Sequence, residues 1–257
     1  MMGTSHAVTG AAAWVAVTAT TLPALHLYSA TPAGVVLGAA VCAGAALLPD
    51  ADHHDATIAH SIPVLGRVAA GTVESVSGGH RHGMHSLLAV LGILAATTML
   101  SALRWTPSGW DHTIQVGSAL SVMACVTFAA KVLTLVRSWL AAWALGAGAA
   151  ALVALWAPNE FSWLPVCIGV GFAVHLIGDA LTTEGIPLLW PLNPRPPRSI
   201  THTPVLRAIW KRNGYLAIPI LGNAGSLREW LLMLPIAAYA VWGVAATGMQ
   251  LVHAAFA

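Results

Sequence analysis

The chain is 257 residues long and 57% apolar, with a mean hydropathy of +0.75 and only 8% Asp, Glu, Lys and Arg, where a soluble domain carries roughly 25% charged residues. This excludes an ordinary soluble globular domain, and a net charge of +2 gives no ground for expecting a nucleic-acid partner. The composition is that of an integral membrane protein whose few basic residues mark topology.

Seven apolar runs are long enough, or nearly so, to cross a hydrocarbon core that takes about 20 helical residues: 7–27, 32–48, 86–103, 112–136, 138–157, 161–181 and 230–252. They are expected as helices, because lipid-exposed backbone must satisfy its own hydrogen bonds and the period-2 pattern of a barrel strand is absent. The first run has no basic segment before it and reads as a span, not a cleavable signal. Gly34, Gly38 and Gly44 in the second run suit close helix packing, and the scattered Cys42, Cys125 and Cys167 read as core residues. Two polar stretches, 49–85 and 182–229, interrupt the runs. The expected fold is all-α: a polytopic transmembrane helix bundle of about seven spans, one integral domain over 1–257.

Only Arg137 and its neighbours separate the fourth run from the fifth. If both cross, Arg67, Arg81, Lys131, Arg137, Arg195, Arg198, Arg207, Lys211, Arg212 and Arg228 share one face and only Arg104 lies opposite. The positive-inside rule then makes that face cytoplasmic, with the N-terminus inside and the C-terminus outside.

The polar chemistry gathers at the same level. His6 stands at the entrance of the first span. "LLPDADHHD" follows the second and holds Asp50, Asp52, His53, His54 and Asp55. "GHRHGMHS", with His80, Arg81, His82, His85 and Ser86, precedes the third. "HLIGDALTTEG" ends the sixth, with His175 and Asp179 four apart and so on one helical face. Taken singly these have plainer readings: an interfacial histidine, a solvated turn, a basic anchor with Ser86 capping a helix. His175 and Asp179 are harder to explain structurally, because ionisable groups inside a membrane segment are costly. Asp52, His53, His85, His175 and Asp179 together form a mixed nitrogen and oxygen set of the kind that holds zinc or a similar divalent ion.

These three motifs, in this order, resemble the signatures of the bacterial membrane-bound metal-dependent hydrolases, also described as LexA-binding, inner-membrane-associated hydrolases. The resemblance covers residues 6–191 and marks His6, Asp50, Asp52, His53, His80, Arg81, His85, Ser86, His175, Asp179 and Thr182. The chain departs from the pattern at His82 and Gly83, which invert the expected order, at Met84 in place of Thr, and at Val174 in place of Ser. The order of His, Pro-Asp, His and His-x-x-x-Asp is more distantly similar to zinc-dependent phospholipase C. No further HxxxE or HxxxH follows Asp179, so one or two ions are expected in place of three.

The resemblance implies a hydrolase in a bacterial inner membrane, acting on a phosphoester of a lipid or other amphiphile at the cytoplasmic face. His6, Asp52, His53, His80, His85, His175 and Asp179 are the expected ligands of zinc, with manganese or magnesium as alternatives. Asp50 is expected to orient water, Arg81 to stabilise developing negative charge, and Ser86 to belong to the catalytic set. Thr182, Arg195 and Arg198 border the substrate, where the basic loop that also carries Arg207, Lys211 and Arg212 favours an anionic amphiphile. Three other readings use the same residues: a zinc amidase like the seven-span ceramidases, a metal transporter, and a non-catalytic regulatory adaptor. The topology has a direct test: reporter fusions after Arg195 are expected to read cytoplasmic and fusions at Ala257 extracytoplasmic, and a cytoplasmic C-terminus overturns the seven-span arrangement.

Overall fold

Each apolar run contains one long helix, and the polar stretches add three more. The computed structural model describes residues 1–20, 24–53, 56–62, 65–79, 81–156 and 162–256. Its α-helices are α1 (Gly3–Ala19), α2 (Pro32–Ala45), α3 (Leu65–Ser77), α4 (Leu87–Leu100), α5 (Val116–Val132), α6 (Trp139–Trp156), α7 (Leu164–Ala180), α8 (Arg198–Thr201), α9 (Pro204–Ile209) and α10 (Leu227–Phe256). Short 3-10 turns cover Pro49–Asp52, Thr57–His60 and Gly83–His85. Among the described residues β-structure is limited to isolated bridges, such as Trp105 with Ile114 and Ile186 with Leu216. The chain is all-α, as expected.

The helices do not coincide with the runs that announced them. By length and composition alone Pro32–Asp52 and Leu227–Ala254 are long and apolar enough to cross a membrane, whereas Leu87–Leu100, Val116–Val132, Trp139–Leu155 and Leu164–Ala180 are shorter apolar helices. At about 1.5 Å per residue, helix α4 extends ~21 Å against a hydrocarbon core of ~30 Å. Helix α1 starts at Gly3, ahead of the run expected from residue 7, so His6 lies within the helix and is buried. Helix α10 starts at Leu227, which brings Glu229 into its first turn. The stretch 49–85, expected to be simply polar, contains α3, an amphipathic helix with Ala70 and Ser77 buried and Val68 and Val76 exposed.

The long helices run back and forth, so one end of the bundle collects the starts of α1, α4 and α10 and the ends of α2, α5 and α7. There the Met2 backbone N–H donates to Glu229 at 2.8 Å, and Gly3 faces Leu47 and Val132. At the opposite end the Trp14 indole donates to the Gly34 carbonyl at 3.0 Å and packs against Tyr28 and Trp163. Between the ends lies a core of Trp14, Val41, Cys42, Val122, Cys125, Leu164, Cys167 and Ile168. The three cysteines are buried there as free thiols.

Helix α2 is the axle of this packing, touching α1, α5, α7 and α10. It gets that close by having no side chain where its neighbours approach. A Cβ at Gly44 would stand 1.9 Å from the Cys125 carbonyl oxygen, and one at Gly38 would stand 2.1 Å from the Trp14 indole nitrogen. Large apolar side chains remain exposed on the outer faces of α4, α6 and α10, among them Leu91, Met99, Leu140, Leu152, Leu234 and Trp242. Apolar exposure on that scale suits contact with lipid.

Gly44→Val drives two methyl groups and a Cβ into the α5 backbone, an overpacking expected to cost about 3 kcal/mol or more. Gly92→Ala, where a Cβ meets nothing within 4 Å, should be neutral or stabilising by up to ~1 kcal/mol. Thermal unfolding of the detergent-solubilised variants, followed by size-exclusion chromatography, checks both. Equal stability of the two would show that the α2–α5 approach is not the constraint described.

Candidate metal centre

The site is built where helix ends meet. Pro49, which occupies the first turn of a helix readily because it has no N–H to satisfy, opens the 3-10 turn after α2. That turn carries Asp50 and Asp52. His85 ends the 3-10 turn just before α4, and Ser86 caps α4 by accepting from the Ala89 N–H at 3.2 Å. His175 and Asp179 occupy the last two turns of α7, which Thr182 closes by donating its hydroxyl to the Asp179 carbonyl at 2.7 Å. His6 reaches in from α1. Arg81 sits in a left-handed turn (φ 56°).

Four side-chain atoms converge. His85 Nε2 and His175 Nε2 are 3.2 Å apart. Asp50 Oδ1 lies 3.5 Å from His175 Nε2 and 3.8 Å from His85 Nε2, while Asp179 Oδ2 lies 3.7 Å and 3.6 Å from the same two nitrogens. A zinc site with bonds of about 2.0–2.1 Å has ligand–ligand edges of about 3.3 Å; these five separations are each within half an ångström of that, and Asp50, His85 and His175 form one candidate ligand group while Asp179 belongs to another with His6 and His175.

The other ring atoms indicate where the lone pairs point. His175 Nδ1 is 2.7 Å from the Ala46 carbonyl, which only accepts, so Nδ1 carries the proton and Nε2 offers its lone pair. His85 Nδ1 faces Asp52 Oδ2 at 3.4 Å, which orients that ring the same way. Burial by itself would depress the His85 pKa, but the carboxylates of Asp50 and Asp52 push it up to about 9. With that proton on, His85 has no Nε2 lone pair to give, so a divalent cation would bind here by displacing it. Asp179 Oδ2 is buried without a hydrogen bond, and its nearest cationic contact is Arg81 Nη2 at 3.2 Å. Donor chemistry, spacing and this unsatisfied oxygen all fit a metal ion.

Around the four stands a supporting layer. His6 stacks on His175 with ring centroids 3.7 Å apart and planes 14° from parallel, and its Nε2 is 3.2 Å from Asp179 Oδ1. The Met1 amino group pairs with the same oxygen. Asp52 Oδ2, fully buried, also accepts the Arg81 backbone N–H at 3.2 Å. Arg81 further pairs with Glu184, and Tyr215 donates its hydroxyl to the Arg81 carbonyl at 3.1 Å.

Measured against expectation, His85, His175 and Asp179 come together as ligand atoms. Asp50, expected to orient water, lies among them. Asp52, expected as a ligand, stands behind His85: two residues apart on a 3-10 turn with three residues per turn, the two carboxylates cannot face the same way. His6 touches Asp179 and belongs to a second, overlapping group with His175. His53 belongs to neither ligand group found among the described residues, and His80 lies outside the described residues. Ser86 serves as a helix cap, its hydroxyl donating to the Gly83 carbonyl at 2.6 Å. Thr182 is buried against α7, while Arg195 and Arg198 are exposed. Sequence reasoning missed Glu229, buried and accepting from the Met2 and Gly225 N–H groups at 2.8 and 2.9 Å. It also missed Glu184 and Tyr215. A lone acid at the start of an apolar run was the available signal for Glu229.

Fold and site together define an all-helical membrane protein with a buried His/Asp cluster at one end of its bundle. The chain belongs to the YdjM inner membrane protein family, whose model matches residues 1–130 and 135–250. No curated protein and no solved structure matches it.

Proposed function

We propose that this inner-membrane protein is a metal-dependent hydrolase that cleaves a phosphoester of a lipid or other amphiphile at the cytoplasmic face, with seven crossings and the N-terminus inside. One observation carries the reading: Asp50 Oδ1 and Asp179 Oδ2 each lie within 3.8 Å of both His85 Nε2 and His175 Nε2, which are themselves 3.2 Å apart. The basic residues on the same side of the expected topology support the orientation.

His85, His175, Asp50 and Asp179 would hold the ion. When bound, a zinc-like ion supplies Lewis acidity, polarising the scissile group and lowering the pKa of water towards about 7. Asp52 and the Ala46 carbonyl fix the two imidazole rings so that both Nε2 atoms face inward. His6 holds Oδ1 of Asp179, which aims Oδ2 at the histidines. Asp50 is 28% exposed, in contrast to the fully buried histidines, and it borders a cavity of about 180 Å³ lined also by Gly3, Leu47, Thr57, Ile58 and Val132. Water and the scissile group enter from there. The Arg81 guanidinium, already engaged with Asp179 and Glu184, presents a planar fork suited to an anionic oxygen pair. A transporter would need further ligands along a path, and among the described residues both candidate ligand groups share His175 at one end of the bundle.

Metal analysis of the purified protein is expected to find a zinc-class ion in wild type, and His85→Ala, His175→Ala and Asp179→Ala should each lose it while remaining membrane-inserted, since deleting a polar group makes a segment more hydrophobic. Full occupancy in all three variants overturns the proposed ligand set.

At Arg81, the lysine variant keeps the charge and loses the fork. Arg81→Lys should retain metal and insert normally, yet turn over a phosphoester amphiphile at least about tenfold more slowly, a loss of about 1.4 kcal/mol of transition-state stabilisation. Equal rates would reduce Arg81 to an anchor.

A further inference from the structure

Next to the Asp50 cavity lies a second, open cavity of about 310 Å³, bordered by α3, the 3-10 turn Thr57–His60, α5 and α6. Its volume is within the range of ligand pockets, about 300–1,000 Å³. Its walls include Leu48, Ile58, Ala70, Val73, Phe128 and Trp143. The indole N–H of Trp143 is spent on the Ser61 carbonyl at 3.0 Å, so the ring offers the cavity carbon only. Among the described residues no charged side chain lines it, which disfavours an ionic occupant by desolvation cost.

The cavity adjoins the Asp50 cavity through a shared wall. Ile58 lines both cavities, and the turn that leaves α2 alternates between them: Leu47 and Asp50 face one, Leu48 and Ala51 the other. A molecule whose ester group reaches Asp50 has its apolar tail directed over this one-residue ridge. Helix α3 roofs the cavity while turning Val68 and Val76 outward, the arrangement of an interfacial amphipathic helix lying on lipid.

We infer that this α3-roofed cavity is an acyl-chain site, holding one chain of a bilayer lipid while the lipid's headgroup ester reaches Asp50 through the adjoining cavity. The assignment rests on the metal-hydrolase reading for its chemistry, and the cavity itself can be tested apart from it. The substrate class is thereby narrowed to a chain-bearing lipid in place of a water-soluble phosphoester. The larger apolar cleft of about 620 Å³ between α2, α5, α6 and α10 shares no wall with the Asp50 cavity and is not part of this site.

The experiment uses the full chain reconstituted in phosphatidylethanolamine vesicles doped with phosphatidylglycerol that carries a diazirine in mid-chain. After illumination, mass spectrometry is expected to map cross-links to Ile58, Ile62, Ala70 or Val73 and to Phe128 or Trp143, above the level on the outer faces of α4 and α10. Ala69→Trp, which enters the cavity from α3, should lower the cavity cross-links at least fivefold with the outer-face cross-links unchanged. Ile62→Trp fills it from another wall and gives the same reading should Ala69→Trp not remain monodisperse. His85→Ala should keep the cross-links, because His85 is no part of the wall. Cavity labelling no higher than on the outer faces, or a change within twofold in a monodisperse filled variant, overturns the acyl-chain site. Metal content measured on the same preparations decides the hydrolase reading separately: a metal-free wild type with intact cavity labelling sinks that reading alone.

Discussion

A carboxylate buried at the end of an apolar helix dominates the architecture. Asp179 is 1% exposed and follows an α7 whose other residues are almost all hydrophobic. An unpaired charge in that setting is prohibitively costly. Its compensation comes from far away in the chain: His6 on α1, Arg81 in the turn before α4, and the amino group of Met1. Each partner lies at an element's end, so satisfying one carboxylate fixes the axial register of α1, α4 and α7 together. The close approach at Gly44 then sets how near α2 and α5 stand to that frame.

Asp52 performs the corresponding task for the turns. It is fully buried, accepts the Arg81 backbone N–H and faces the His85 ring, linking the loop after α2 to the loop before α4. Arg81 adopts positive φ there, a conformation that costs a non-glycine residue about 1 kcal/mol or more. The Asp52 and Tyr215 hydrogen bonds at its two backbone groups hold it in place. Strain at Arg81 thus aims its guanidinium at Asp179, and the same carboxylate that holds the strain orients a histidine.

Much of this was legible because polar residues are conspicuous in a chain that is 8% charged. His6, His85, His175 and Asp179 stand out against apolar neighbours, and the alternation of spans places them at one end without any knowledge of packing. The division of labour between Asp50 and Asp52 was not legible, because it depends on whether the Pro49 turn is 3-10 or extended, a difference of side-chain direction that the letters do not encode. Helix α3 was readable in principle: Ala70, Val73 and Ser77, at i, i+3 and i+7, mark its inner face. Its glycines and polar residues, in a stretch bounded by motif histidines, hid the pattern. Except for α10, helix lengths were overestimated because hydrophobic runs continue into turns, as at Leu47 and Leu48 after α2.

Counting lone pairs bears on how many ions the centre can hold. His175 has one nitrogen committed to the Ala46 carbonyl, so it can ligate only through Nε2. Both candidate ligand groups, Asp50 with His85 and His175, and His6 with His175 and Asp179, draw on that single atom. Given to the first group, it completes the set of Asp50, His85 and His175. Among the described residues of the two groups, what is left for a second ion is His6 and Asp179 Oδ1, two side chains where catalytic zinc sites use three protein ligands. The stacking of His6 on His175 further restrains His6 from swinging towards His85. Among the described residues the two groups therefore cannot both be complete at once, and His6 reaches the Asp50 group only through Asp179.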